Sequence, residues 1–267
     1  MRRVDTRRVV PFVRYTWFPE RPWLVSVRPE LRGEMLWDHS GTLHDWQVSS
    51  ELQFELKGQT EIELGYDESM ERFRGAEFRK RDLTLRFESA WLKWLELEGG
   101  ADVGPEINFF PPSGLLPFVV DGVEADAALV FKPLPQLRVD QRYLFTRLRT
   151  RDALAATAAG SVVVSNHIWR SRAAYQFTRR LSLRAIVDYS AVTADARLID
   201  LEDEKRFSTD LLATYMLNPW TAVYVGYTDG YGNLELDRTA GVLRVTDSPF
   251  HSLGRQVFVK LSYLLRF

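Results

Sequence analysis

Four residues at one tight turn come nearest to a chemical site. His39 and His44 flank the turn together with Asp38 and Asp45, and two imidazoles with two carboxylates are donors that zinc takes. The same residue types cap wet turns, and that reading is preferred over a metal site. His167 and His251 stand elsewhere without an obvious partner. The run Asp229-Gly230-Tyr231-Gly232-Asn233-Leu234-Glu235 offers oxygens of the kind calcium takes but misses the EF-hand spacing, so it reads as a flexible outer loop. Gly160-Ser161 lacks the second glycine of a nucleophile elbow, and no Gly-rich phosphate loop is present. Carboxylates are plentiful, but they recur at period two, which describes a surface rather than an acid/base pair. The expectation is of no enzyme, no metal and no cofactor.

Composition narrows the class. Of 267 residues, 45% are hydrophobic and 27% charged, which excludes a disordered chain. A formal net charge of −1 argues against a general nucleic-acid surface, so no nucleic-acid partner is expected. The chain has no cysteine, hence no disulfide framework and no thiolate chemistry. It has no apolar run of about 18 residues and therefore no membrane-spanning helix. Met1-Arg2-Arg3-Val4-Asp5 is not followed by an apolar stretch and does not read as a secretory signal.

The elements that carry the charges alternate with period two, which puts successive side chains on opposite faces of a strand. In 23–38, Val25, Val27, Leu31, Met35 and Trp37 alternate with Ser26, Arg28, Glu30, Arg32, Glu34 and Asp38. The pattern recurs through Trp46–Glu55, Glu61–Asp67, Leu83–Glu88, Leu95–Glu98, Ala125–Phe131, Arg138–Phe145, Trp169–Phe177, Leu181–Tyr189, Phe207–Leu217, Val223–Tyr227 and Val257–Phe267. With an opening strand near 7–17, about thirteen strands are expected. Short connections near Pro19–Pro22, Lys57–Thr60, Trp91–Lys93, Pro133–Gln136, Thr178–Arg180 and Asn218–Pro219 alternate with longer polar ones at 67–81, 103–121, 191–205 and 229–254. Tight turns at one rim and long loops at the other are the habit of outer-membrane barrels.

Alternation alone does not separate a soluble barrel, which buries the apolar face, from a membrane barrel, which exposes it to lipid. Three features favour lipid: the strands are long, aromatic residues recur near their ends (Trp17, Trp37, Trp46, Tyr66, Trp91, Tyr143, Trp169, Tyr189, Tyr215 and Tyr227), and the last strand ends on Phe267 in register with Leu265 and Tyr263. That ending resembles the signal of bacterial outer-membrane proteins, which implies the barrel assembly machinery and outer-membrane lipid as partners. Arg255 to Phe267, with Val223-Tyr224-Val225-Gly226-Tyr227-Thr228-Asp229-Gly230, is similar to the close of a family of large outer-membrane barrels. Members of that family carry an N-terminal domain like the family-nine carbohydrate-binding modules, which this sequence lacks.

The fold expected is all-β: one antiparallel, up-and-down transmembrane β-barrel domain over residues 1–267, located in the bacterial outer membrane. If the apolar face meets lipid, the polar face lines a lumen. Glu51, Glu55, Glu61, Glu63, Glu96 and Glu98 form an acidic wall, and Arg138, Arg142, Arg170, Arg172 and Arg184 a basic one. Separate walls sort solutes by charge, whereas charges paired across strands merely fill the interior. The functions weighed are a pore for small or oligomeric solutes, a plugged barrel acting as a binding platform and, behind both, an outer-membrane enzyme. Single-chain bacterial barrels have even strand numbers. The odd count and the missing signal predict that this chain is the C-terminal part of a larger barrel.

Overall fold

The structure is a computed structural model that describes residues 6–73, 75–154, 157–237, 242–246, 248 and 251–263. Its strands are β1 (Thr6–Val9), β2 (Phe12–Arg14), β3 (Leu24–Asp38), β4 (Leu43–Leu56), β5 (Thr60–Phe73), β6 (Ala76–Leu92), β7 (Leu95–Asn108), β8 (Phe118–Leu134), β9 (Leu137–Thr150), β10 (Val162–Gln176), β11 (Leu181–Ala194), β12 (Glu204–Asn218), β13 (Thr221–Gly232), β14 (Leu234–Asp237), β15 (Val242–Val245) and β16 (His251–Tyr263). All but β14 and β15 belong to one antiparallel sheet, in which β1 and β2 both pair with β3, β3 to β13 pair in sequence order, and β13 pairs with β16.

The expected all-β, antiparallel, up-and-down architecture is present. So is the expected number of traverses, because β1 and β2 are two halves of the opening strand. Pro11 separates them, and both pair with β3. A proline cannot donate to a ladder and is confined to edges and breaks; its carbonyl still accepts from the amide of Gly33 at 2.8 Å. The sheet's order runs from β1 to β16, and no ladder joins these two edges among the described residues.

Register decides what the faces are. Trp169 lies opposite Tyr143 and Tyr189, Leu85 opposite Leu64 and Ala101, and Val225 opposite Ala213 and Val259. The apolar sets of neighbouring strands thus fall on one continuous face. Nothing in the fold covers it: Leu85 is 48% exposed, Leu261 67% and Val259 72%. A soluble barrel or sandwich would have buried these side chains. The buried apolar cluster lies elsewhere, on the polar face at the loop end. There Leu198 and Ile199 pack against Val120, Val163 and Val164.

Three expectations about connections are corrected. Residues 67–81 are not a long loop: β5 and β6 pair to their ends, from Thr60↔Ser89 up to Phe73↔Ala76, and turn at Gly75, whose φ is 83°. The segment 229–235 is not a flexible loop. Its first residues complete β13, and Asn233 is buried, accepting from the Lys205 amide at 2.9 Å and donating to the Asp203 carbonyl at 3.1 Å. Beyond it β14 and β15 form a separate hairpin. The connection 195–203 does not simply project outward either, since it carries Leu198 and Ile199 onto the polar face.

One tight turn at the opposite rim depends on two consecutive residues of positive φ. Lys57, Gly58 and Gln59 link β4 to β5, and Gly58 has φ 80° and Gln59 φ 54°, the two positive φ of a type I′ turn. A Cβ on Gly58 would come within 2.8 Å of the Trp91 ring. Gly58→Ala is therefore expected to cost about 1–2 kcal/mol from the left-handed backbone alone, with displacement of Trp91 added. The midpoint of urea unfolding in lipid should fall, and an unchanged midpoint would refute this account of the turn.

Candidate functional site

The polar face is built by the same register that builds the apolar one. All eleven charged residues expected in a lumen sit on it: Glu51, Glu55, Glu61, Glu63, Glu96 and Glu98 on β4, β5 and β7, and Arg138, Arg142, Arg170, Arg172 and Arg184 on β9, β10 and β11. One row is especially ordered. Glu55 lies opposite Glu61, Glu61 opposite Glu88, and Glu88 opposite Glu98. The row continues through Ala128 to Arg142, which lies opposite Arg170. Like charges placed directly opposite each other cost roughly 0.2–1 kcal/mol per pair.

The two walls do not neutralise each other. Glu55 accepts from the Ser26 hydroxyl at 2.8 Å, Gln53 donates to Glu61, and Lys132 meets Glu96 at 2.6 Å. On the basic side Arg138 pairs with Asp140 at 2.7 Å, and Arg170 makes a forked contact with Asp188. No ion pair among the described residues joins a carboxylate of the acidic wall to an arginine of the basic wall. A depression of about 210 Å³ lies among Glu61, Glu63, Glu88, Glu98 and Asp126, with Arg86 at its side. Another, of about 470 Å³, lies along Arg142, Arg170 and Arg206. Between the walls stand two strand spacings, about 10 Å.

The connection from β11 to β12 crosses this face at its loop end. The Asn108 side chain at the end of β7 donates to the Leu198 carbonyl at 2.7 Å, and the Asp200 amide donates to the Phe110 carbonyl at 2.9 Å. A segment rooted at β11 thus reaches β7, above β8, β9 and β10. Its entry is a short turn in which Arg197 binds Asp195 at 2.6 Å; this contact holds the Asp195 carboxyl below its ordinary range. The sequence signal for the crossing was present as an apolar Leu198-Ile199 pair inside a connection rich in charged residues.

The other candidates resolve individually. At the β3–β4 turn, Asp38 accepts from the Ser40 hydroxyl at 2.6 Å and from the Thr42 amide at 2.8 Å, and His44 lies 3.3 Å away. Asp45 accepts from the Arg72 amide at 3.2 Å. The group is a turn cap, and among the described residues no cluster of three or more His, Asp or Glu is arranged for a metal. His167 does have partners, contrary to expectation. The Tyr143 hydroxyl stands 2.7 Å from its Nδ1 and the Ser165 hydroxyl 3.1 Å from its Nε2. Tyr263 is described and exposed; Leu265 and Phe267 lie outside the described residues.

No family model matches the chain, and no curated protein matches it. Several solved structures do. The NanC porin is 12% identical over 83% of this chain and 94% of its own, with a TM-score of 0.33. Outer-membrane expressed OmpT of Vibrio cholerae is 10% identical over 97% and 96%, at 0.38. The copper transporter OprC is 14% identical over 84% of this chain and 45% of its own, at 0.39. These values carry no argument about substrate or mechanism. The expectation of no enzymatic activity does not stand, because a strand array of this kind does not by itself decide between transport and catalysis.

The turn cap gives a pH prediction. The contacts from Ser40 and Thr42 hold the Asp38 carboxyl at about 2, below the ordinary 3.8. A carboxyl depressed in the fold contributes stability that is complete above its unfolded value and lost as pH falls through its folded one. Protection of the Thr42 amide from exchange, corrected for intrinsic rate, should therefore hold above about pH 4 and fail towards about pH 2. In Asp38→Ala it should be low throughout and flat across that window. A wild-type profile equally flat would contradict the cap.

Proposed function

We propose that this chain is a transmembrane β-barrel, or part of one, in the bacterial outer membrane, and that it is a channel whose polar face handles small charged solutes. The observation that carries the reading is the division of labour between faces. One face is apolar, uncovered and uncharged along its middle, while the other holds acidic and basic walls that are not paired with each other. A charge about 10 Å from one wall residue feels about 0.4 kcal/mol in bulk water and about 1.7 kcal/mol at an effective dielectric of 20. Several such residues together exceed thermal energy. The tolerated cost of the Glu55–Glu61–Glu88–Glu98 row also suits a field kept for use rather than for stability.

Dimensions suit the same reading. β3 to β12 run 14 to 17 residues, more than the 9–11 that a tilted membrane strand needs. Tyr143, Trp169, Tyr189, Phe207 and Tyr231 lie opposite one another in sequence across β9 to β13 on the apolar face, the arrangement of an interfacial aromatic girdle. Outer-membrane lipid is the proposed partner of that face. The barrel assembly machinery is the proposed reader of Tyr263, Leu265 and Phe267, and the resemblance to the family with a carbohydrate-binding-like domain stands as a proposal beside it.

A second reading has its own observation. The Leu198–Ile199 segment lies across the polar face, so the barrel is either narrowed or plugged there, and a plugged barrel would act as a binding platform. Planar-bilayer recording separates the two. A channel gives conductance steps, with the reversal potential moving towards anions in Glu61→Gln/Glu88→Gln/Glu98→Gln and towards cations in Arg142→Gln/Arg170→Gln. Absence of conductance, or steps indifferent to both variants, would overturn the channel.

The facing assignment is tested by neighbours on β11. Val187 lies on the apolar face opposite Ser171 and Thr209, and Asp188 on the polar face opposite Arg170 and Ser208. Val187→Arg should lower refolding stability in lipid by about 2–4 kcal/mol, the midplane cost of a lipid-facing arginine. Asp188→Asn removes one exposed ion pair and should cost about 1 kcal/mol or less. Equal losses would contradict the assignment.

A further inference from the structure

The apolar face is uncharged only along its middle. On it, Leu83 to Ser89 of β6, Leu95 to Val103 of β7, Val123 to Phe131 of β8, Leu137 to Phe145 of β9 and Trp169 to Tyr175 of β10 contribute no acid or base. At the turn end this band closes on neutral aromatics, among them Trp91, Tyr175 and Phe177. At the loop end it closes on charged residues: the cations Arg81 on β6, Arg147 and Arg149 on β9, Lys205 on β12 and Arg255 on β16 occupy the apolar-face register, with the acids Glu68, Asp121 and Asp229 beside them. Two of these are already paired, Arg81 with Glu68 at 3.3 Å and Arg255 with Asp229 at 2.9 Å.

Arg147 and Arg149 are not. Neither has an ion pair among the described residues. Asp121, which faces Arg149 across the β8–β9 ladder, is held instead by Arg151 at 2.6 Å. The Arg147 guanidinium lies 5.0 Å over the Phe145 ring, and its Nε is shut off from solvent with no acceptor. Phe145 in turn lies 5.0 Å from His167 with the two rings tilted by 50°, and Tyr143 and Ser165 hold the imidazole on either side. A guanidinium fixed on an aromatic platform, with a second one beside it and a hydroxyl opposite, is a preorganised donor set for a tetrahedral oxyanion. It sits where an uncharged band ends.

We propose that this rim is a docking site for a phosphate-bearing lipid headgroup of the leaflet at the loop end. The inference rests on the lipid-facing reading above. Arg147 and Arg149 take the phosphate, with the Ser165 hydroxyl as a further donor, and the acyl chains lie along the Tyr143–Trp169 side of the band. Charge complementarity and the change from uncharged band to cationic rim select a lipid over a soluble phosphate. Acyl chains add apolar burial that inorganic phosphate cannot.

The test uses the full chain in nanodiscs of zwitterionic phospholipid doped with bisphosphorylated lipid A, with bound lipid read by native mass spectrometry. Arg147→Gln/Arg149→Gln should weaken lipid A binding about tenfold or more, as two charge-assisted contacts are lost. Arg147→Lys/Arg149→Lys should retain part of it. Lys57→Gln/Lys93→Gln, the same charge change at the turn rim, should leave it unaltered. Dephosphorylated lipid A should bind the wild type no better than intact lipid A binds the double glutamine variant, and millimolar inorganic phosphate should not displace the lipid. Equal losses in both glutamine variants, equal binding of dephosphorylated lipid, or displacement by free phosphate would each overturn the proposal. Normal incorporation into nanodiscs without headgroup discrimination sinks this site alone. Failure of the wild type to enter the bilayer sinks the lipid-facing reading and this site together.

Discussion

Pairing in register is the constraint on which the structure depends. Each strand carries its own two-residue alternation, but a face exists only if every neighbour is offset by an even number of residues. Leu52 opposite Leu64, Leu64 opposite Leu85, Leu85 opposite Ala101 and Ala101 opposite Ala125 form one unbroken chain of such choices. A slip of one residue at the β7–β8 ladder would turn all strands beyond it inside out, placing Arg142 and Arg170 in the apolar band. The cost of that error is far larger in lipid than in water, since charge in the middle of the band has no solvent to retreat to. The apolar environment thus enforces the register, and the register in turn aligns the charged walls.

Alignment of the walls has a consequence for stability. The acidic row on β4 to β7 gains nothing from its own members; Glu55 and Glu61 are held by the Ser26 hydroxyl and the Gln53 amide, which satisfy oxygens without cancelling charge. Buried apolar packing, the usual source of stability, is almost absent from the middle of either face. It reappears at the loop end, where the Leu198–Ile199 segment builds a small core with Val120, Val163 and Val164 and ties β11 to β7 through Asn108. That core couples strands that share no ladder.

How much of this was legible follows from what each signal depends on. Strand existence, facing and the polar-face position of Glu51 to Arg184 depend on alternation within single segments, and these were readable. The ends of strands were less so. Polar residues such as Glu68, Glu71 and Arg81 look like loop composition, yet they extend β5 and β6 to the turn at Gly75 because backbone pairing does not need apolar side chains. The partners of His167 were unreadable, since Tyr143 reaches it only through the β9–β10 register. The crossing segment required noticing that Leu198 and Ile199 were out of place among Asp195, Arg197, Asp200 and Glu202. Whether the walls would pair with each other depended on side-chain geometry that no spacing encodes.

The sheet's edges impose the last constraint. Strands alternate direction along the order from β1 to β16, and with an odd number of traverses the two edge strands run the same way. Pairing one edge with the other would therefore create a single parallel ladder in an otherwise antiparallel wall, as in the nineteen-stranded mitochondrial barrel. Pairing with further strands would keep the wall antiparallel throughout. Open edges are not a third solution in lipid, because each unpaired backbone group there costs several kcal/mol. β16 sharpens the point: it is exposed along nearly its whole length and presents Val257, Val259 and Leu261 beside an edge that pairs with no second strand among the described residues. In water such an edge invites aggregation. In a membrane it is the place where the wall is completed, and the polar face becomes a lumen only once it is.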